Sequence, residues 1–351
     1  MVELLRAEAD ATIQELETMT TEAEIISRIR KRLGFNEDVL LGVGDDAAVI
    51  KTASGRDLIA CCDLLVEGVH FRREWTPPRL LGWKALAVNL SDLAAMGGVP
   101  KFAMVSIALP HWCSSEFIDE LFDGMSELAQ SCGVAIIGGD TSSSPDSLFI
   151  DVSVIGDCQS GKAITRRGAN TGDRIYVSGT LGASAVGLSL LEAGFRLDDS
   201  QGVGDFRSKA VLKHLSPEPH LKLGRALGET GLATAMIDIS DGLSTDLHHI
   251  LDESSVGAVI HAGAIPIAEC VPSAAHGTPE ADRLTLAINS GEEYELLFTA
   301  RPENHQRVSD LAEKNGVKVS VIGDITAERE LHLERNGAIE LLLPLGYQHL
   351  I

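Results

Sequence analysis

Gly42-Val43-Gly44-Asp45-Asp46-Ala47-Ala48-Val49 is the stretch from which the rest of the chain is read. Two glycines lead into two adjacent carboxylates, and an apolar run follows. Glycine adopts backbone angles that other residues resist. The pair therefore predicts a tight turn that delivers a carboxylate to the start of a strand near 47–51. The pattern recurs: Asp63 closes an apolar run from Leu58 to Cys62, Gly138-Gly139-Asp140 follows Val134–Ile137, and Asp238-Ile239-Ser240-Asp241-Gly242 closes the run from Ala235. Each instance puts acid at the edge of an apolar element. Such oxygen-rich sites suit Mg2+, which takes carboxylates and water and shares phosphate ligands with a nucleotide. A carboxylate cage around a metal-bound polyphosphate is the expectation, and a plain Gly-Asp turn is the alternative at any single position.

The chain has 351 residues, 44% hydrophobic, with 34 glycines. That length favours two domains, and the composition reads as an α/β protein with many tight turns. The formal charge is −22 and aromatics make up only 4%. An acidic chain with few stacking rings argues against nucleic acid and anionic membranes as partners. The six cysteines form no C-x-x-C pair or disulfide framework, so a reduced, cytoplasmic setting is expected. No secretory signal and no bilayer-length apolar run are expected.

Residues 1–20 read as a polar, acidic extension. Thr21-Glu22-Ala23-Glu24 has the form of a capping box before a helix carrying Ile25, Ile26, Ile29 and Leu33. Pro77-Pro78 introduces a helix over about Leu80–Met96 that is apolar almost all round, hence buried. Asn89 and Asp92 share one face of it, and a buried Asp92 needs a partner. Ser114/Ser115 cap a helix to Cys132, which Gly133 ends. Strands are expected over Phe102–Leu109, over Val134–Ile137 as a short buried one, and over Leu148–Ile155, with a domain boundary in the turn-rich, basic stretch 156–172. In the second half, strands are expected at Arg174–Val177, Ala235–Ile239, Val259–His261, Leu284–Ile288, Tyr294–Phe298 and Val317–Ile322. Helices are expected over 183–192, from Pro217 to Leu227, from Ser240 (as N-cap) to Glu253, and over 303–314; 196–209 reads as loop. Asn336-Gly337 marks a two-residue hairpin turn. Walker-type, protein-kinase and H-E-x-x-H signatures are absent, and no local Ser or Cys triad is present.

The motifs, taken together, resemble the thiamine-monophosphate kinase family, within the superfamily that includes aminoimidazole ribonucleotide synthetase and selenophosphate synthetase. The matching pieces are GVGDDAAV (42–49), DLLVEGVHF (63–71), KALAVNLSDLAAMG (84–97), GGDT (138–141), TRRG (165–168), IDISDGLSTDL (237–247), SGEEYELLF (290–298) and the terminal Gly346-Tyr347-Gln348-His349. They occur in family order over nearly everything after the first twenty residues.

The resemblance implies an α/β (α+β) protein of two-domain aminoimidazole ribonucleotide synthetase-like architecture. Its mixed sheets and packed helices would divide at 1–157, for ATP and Mg2+, and 158–351, completing the substrate site. It implies a homodimer and the reaction of ATP with thiamine monophosphate to give ADP and thiamine diphosphate, with several Mg2+ ions. By motif position Asp46, Asp63, Asp92, Asp140, Asp238 and Asp241 would hold metal. The family carries hydroxyl residues where this chain has Cys61-Cys62. Backbone ligation there would change little, whereas side-chain ligation would weaken Mg2+ binding, because thiols favour softer metals. Gly139, Asp140, Arg166 and Ser240 would contact ATP, with Phe122 nearby; His70, Glu292 and Tyr347 would line the thiamine-phosphate site. A phosphate acceptor is already anionic, so no catalytic nucleophile or strong general base is expected. Bland readings stand beside these. Asp45 is a turn residue, Asp241 a ligand or a helix-start acid, His70 a core histidine and Tyr347 terminal packing. Another superfamily enzyme with a different acceptor, or a non-catalytic nucleotide binder, are the alternatives.

Overall fold

A computed structural model describes residues 39–41, 45–52, 55–197, 206–271 and 280–348. The expected helix at 21–33 and the glycines Gly42 and Gly44 lie outside them. The first half forms a six-stranded sheet from β1 (Val39–Leu41), β2 (Ala48–Lys51), β3 (Arg56–Val66), β4 (Val99–Leu109), β5 (Ala135–Ser143) and β6 (Phe149–Gln159), in the order β1-β2-β3-β6-β4-β5. All its pairings are antiparallel except β4 with β5. Helices α1 (Pro78–Ala95) and α2 (Ser115–Cys132) pack together over it. The second half forms a seven-stranded sheet from β7 (Arg174–Ser178), β8 (Ala235–Asp238), β9 (Gly257–His261), β10 (Leu296–Ala300), β11 (Val319–Thr326), β12 (Leu331–Arg335) and β13 (Ala338–Leu341). Its order is β13-β12-β9-β11-β7-β10-β8. Its helices are α3 (Ala183–Glu192), α4 (Phe206–Leu215), α5 (Leu221–Thr230), α6 (Leu243–Ser254), α7 (Glu280–Asn289) and α8 (His305–Lys314).

Helix α1 is apolar almost all round because it is packed on nearly every side. One face joins the first core through Leu86, Leu90 and Leu93. Ala94 and Ala95, at its end, join a core built mainly of second-half residues, including Leu223, Leu227 and Met236. Glycines allow the close approaches: a Cβ on Gly82 would lie 1.8 Å from the Leu121 carbonyl oxygen, and one on Gly224 would lie 2.0 Å from that of Ala94. Helix α1 is thus the wedge between the two sheets.

Several expectations change. Strand β3 does not end at Asp63; it pairs with β6 as far as Val66 opposite Phe149. The strand expected at 134–137 is not buried: β5 is a long, exposed edge strand that contains the GGDT motif. Residues 284–288 are helical within α7, where Leu284, Ala287 and Ile288 share a buried face. Their spacing fits a helix, and packing overrode the β-branched composition. Helix α4 begins inside the segment read as loop, with Ala210, Val211 and Leu215 buried. Ser240 does not cap α6; Gly242 is the cap residue, and the Asp246 carboxylate accepts the backbone N–H groups of Asp241 (3.2 Å) and Gly242 (3.0 Å). The Asn336-Gly337 turn forms as expected, both residues at positive φ.

Candidate active site

The acids converge where α1 meets the end of β8. Asp46, just before β2, Asp92 on α1 and Asp238 at the end of β8 offer carboxylate oxygens all within 4.8 Å of one another. Burial pushes the carboxyl of each above the ordinary range, Asp238 to about 8, and Asp92 and Asp238 also feel the neighbouring acids. The Asp63 charge is the strongest of the neighbours acting on Asp92. Two devices restrain the repulsion. Ser91 Oγ donates to Asp238 Oδ2. The Arg166 guanidinium donates to Asp46 Oδ1 through Nε at 3.1 Å and through Nη2, while its backbone N–H meets Asp45 Oδ2 at 3.1 Å. Asp46 Oδ2 is buried and has no hydrogen-bond partner among the described residues.

A second trio, Asp241, Asp246 and His249, lies at the start of α6. Burial and the Arg166 and His248 charges hold His249 down to about 4. Asp246 feels both Asp241 and Asp238, and its carboxyl is raised well above the ordinary range, mainly by burial. Arg166 acts on both trios.

The segment 290–295 runs along Ile239 and Ser240. Glu292 N donates to the Ser240 carbonyl at 2.6 Å and Tyr294 N to that of Ile239 at 2.8 Å. Glu292 and Tyr294 both take positive φ, 59° and 51°, a strained region for side-chain-bearing residues. Its three glutamates have separate partners. Glu292 pairs with Lys84 at 2.8 Å and His214 at 3.0 Å. Glu293 accepts the N–H groups of Gly182 (2.7 Å) and Ser184 (3.2 Å) at the start of α3. Glu295 takes Lys213 (2.6 Å), His220 (2.5 Å) and Ser178 (2.6 Å). Burial alone would raise all three; it carries Glu293 to about 7, whereas the Lys84 charge and the His214 hydrogen bond hold Glu292 at about 2, and the Lys213 charge and the His220 hydrogen bond hold Glu295 at about 2.

The remaining expected residues divide. Cys61 Sγ faces α1 and donates to the Asn89 carbonyl at 3.4 Å. Cys62, its strand neighbour, is exposed on the opposite face, so its thiol does not join the aspartates. Asp140 and Gly139 lie exposed on β5, opposite Ser106 and Val105, outside the buried trio. A Cβ at Gly139 would lie 1.8 Å from the Val105 carbonyl oxygen, so this position requires glycine. Phe122 packs against the first core from α2. His70 Nδ1 accepts from Val66 N at 3.0 Å. Tyr347 N donates to the Asp241 carbonyl at 2.9 Å, and its side chain is exposed. Glu292 does not present a bare negative charge, because Lys84 and His214 occupy its two oxygens. Sequence reasoning passed over Lys84, Asp246, His249 and Tyr294, the last buried within the field of Glu292, Asp63 and Asp238. A lone lysine in an apolar helix was the one legible signal among them.

Family comparisons follow this layout. Residues 44–158 match the AIR synthase related protein N-terminal domain, and 170–336 the C-terminal domain. The thiamine-monophosphate kinase of Escherichia coli (strain K12) is 39% identical over 335 residues, 93% of this chain and 98% of that protein. A solved structure described as AaThiL complexed with AMPPCP and TMP superposes with a TM-score of 0.80 at 28% identity, covering 94% of this chain and 97% of the other. The thiamine-monophosphate kinase structure from Stenotrophomonas maltophilia K279a gives 0.74 at 36%, covering 91% and 99%. Two matched domains, likeness over nearly the whole chain and motif acids drawn together at the sheet junction lead to one conclusion: the chain belongs to the AIR synthase related family, on its thiamine-monophosphate kinase branch.

Proposed function

We propose that this chain transfers the terminal phosphoryl group of ATP to thiamine monophosphate, giving ADP and thiamine diphosphate in thiamine diphosphate biosynthesis. The observation that carries the reading is the end-to-end likeness to kinases of that name, reinforced by the TMP-bearing neighbour.

The aspartates fit Mg2+ by donor chemistry: several carboxylates meet, and the buried Asp46 Oδ2 has no partner among the described residues. Asp46, Asp63, Asp92 and Asp238 would hold it, with Asp140 and Asp241 at the flanks. When bound, it supplies charge neutralisation for the polyphosphate and the transferring group. The thiol of Cys61 is a poor ligand for so hard a cation, which leaves the backbone of 61–62 as the ligand there. Arg166 has five N–H donors and spends Nε and Nη2 on Asp46. Its other donors suit an ATP phosphate, beside Gly139, Asp140 and Ser240; Phe122, within the first core, would act only through packing. His70, Glu292 and Tyr347 line the acceptor side. The acceptor oxygen is already an anion, so these residues have to orient it in line and need not deprotonate it.

The exposed side chains of Leu64, Phe102, Met104 and Ile137 lie on the first sheet, and such a patch supports a homodimer through that face. Among the described residues no helix is long and apolar enough to cross a membrane; the cytoplasmic setting is our inference from six cysteines without a disulfide framework. The division expected at 157/158 would cut β6, the last strand of the first sheet, which runs to Gln159, so we infer that it falls between there and β7 at Arg174. The test is product formation from ATP and thiamine monophosphate, with Mg2+ or a chelator, by wild type and Asp63→Asn. Metal-dependent thiamine diphosphate that collapses in the variant is expected. A folded, ATP-binding wild type that forms none overturns the reading in favour of another acceptor.

A further inference from the structure

Among the described residues, Lys84 is the only lysine or arginine that is fully buried. Its Nζ donates to Glu292 Oε1 at 2.8 Å and lies 3.5 Å from the His70 carbonyl oxygen. The other Glu292 oxygen meets His214 Nδ1 at 3.0 Å, and His214 is itself 3.0 Å from Ser184 Oγ. One ammonium therefore ties together the turn after β3, helix α1 and the strained segment 290–294. The first two belong to the first half of the chain and the third to the second. A methionine would fill the same space on α1 without the desolvation cost that a buried ammonium carries. What the ammonium adds is direction: it fixes where Glu292 points and how far the His70 turn stands from it.

We propose that Lys84 is a positioning residue for the acceptor substrate. It holds Glu292 and the His70 turn at a fixed separation, so the acceptor pocket takes shape only when the two halves are in register. Lys84 acts through these two residues and does not touch the transferred group. Glu292 consequently meets the acceptor as an oriented, neutralised hydrogen-bond acceptor, and discrimination at this end rests on geometry. The identity of the acceptor rests on the kinase reading above.

The experiment compares wild type, Lys84→Met, Lys84→Arg and Glu292→Gln. It reads KM for each substrate and amide hydrogen exchange over 66–71 and 290–294. Lys84→Met is expected to raise KM for thiamine monophosphate at least tenfold, leave KM for ATP within twofold, and speed exchange in both segments. Lys84→Arg, which keeps a cation against Glu292, is expected to recover most of that loss. Glu292→Gln is expected to speed exchange over 66–71, to which Lys84 links it. Equal rises in both KM values, an unchanged acceptor KM, or unaltered exchange over 66–71 in Glu292→Gln would overturn the proposal. If wild type forms no thiamine diphosphate, the kinase reading fails instead, and the exchange measurements still decide the role of Lys84. They do so through Glu292→Gln even if Lys84→Met does not fold.

Discussion

Replacing Glu295 by Gln removes one charge from a closed cluster and changes almost no volume. The Glu295 carboxylate accepts from Lys213, His220 and Ser178, and its side chain is 5% exposed. Its folded pKa is about 2 against an ordinary 4.5, because the cations outweigh burial. A depressed carboxyl contributes stability above its unfolded pKa and loses it as pH falls through the folded one. At 1.36 kcal/mol per pKa unit the contribution at pH 7 is about 3 kcal/mol, falling to about 2 kcal/mol by pH 3.5. With an unfolding entropy of roughly 2 cal/mol/K per residue, about 3 kcal/mol corresponds to a loss of about 4 °C in Tm for a chain of this size. Differential scanning calorimetry of both proteins at pH 7 and pH 3.5 measures it. The gap between them must narrow at the lower pH, since a protonated Glu295 resembles the Gln. A gap that stays constant, or a variant as stable as wild type at pH 7, would refute the account of Glu295 as a charge held by its cations.

Asp238→Asn tests the aspartate trio. Asp238 is raised from 3.8 to about 8, so with chelator present the wild type loses stability as pH rises from about 4 to about 8. The variant's Tm should be flatter across that window while its thiamine diphosphate formation is lost, readable by calorimetry and product assay. Gly82→Ala, with its Cβ 1.8 Å from the Leu121 carbonyl oxygen, should destabilise by about 1–3 kcal/mol or more by forcing α1 and α2 apart; urea unfolding gives the value. The homodimer proposed through the first sheet predicts that Met104→Asp, which charges that exposed face, shifts the molecule from dimer to monomer in light scattering.

Local chemistry made much of this molecule legible in advance. The Ser114 cap, the Gly133 stop and the Asn336-Gly337 turn each act within four residues. Helix α1, apolar almost all round, was recognisable as buried because no continuous polar face interrupts it. What could not be read was set by partners distant in sequence. Strand β5 looked like a core strand, because nothing in Val134–Ile137 reveals that its neighbour lies on one side only. Helix α7 was mistaken for a strand because five residues fit either period until α6 supplies the packing face. The converging acids Asp46, Asp92 and Asp238 were picked out by their motifs, yet the thiols of Cys61 and Cys62 part company, since strand alternation turns adjacent residues to opposite faces. The α4 residues Lys213 and His214 were invisible as site residues because their meaning lies wholly in Glu295 and Glu292, far along the chain, and Lys84 showed only as a lone lysine in a largely apolar helix.

The aspartate trio also bears on how the chain reaches its native state. Asp46 and Asp92 come from the first half, and Asp238 comes from the second, more than half the chain length away from Asp46. Neither half alone carries the full repulsion, so each core can collapse before the three acids meet. The electrostatic penalty then falls on the docking of two preformed halves, a late, long-range step whose loop closure is already slow. A divalent cation that neutralises the acids would speed that last assembly step and leave the earlier ones unchanged, so the ligand of the mature site would also govern how quickly the site is completed.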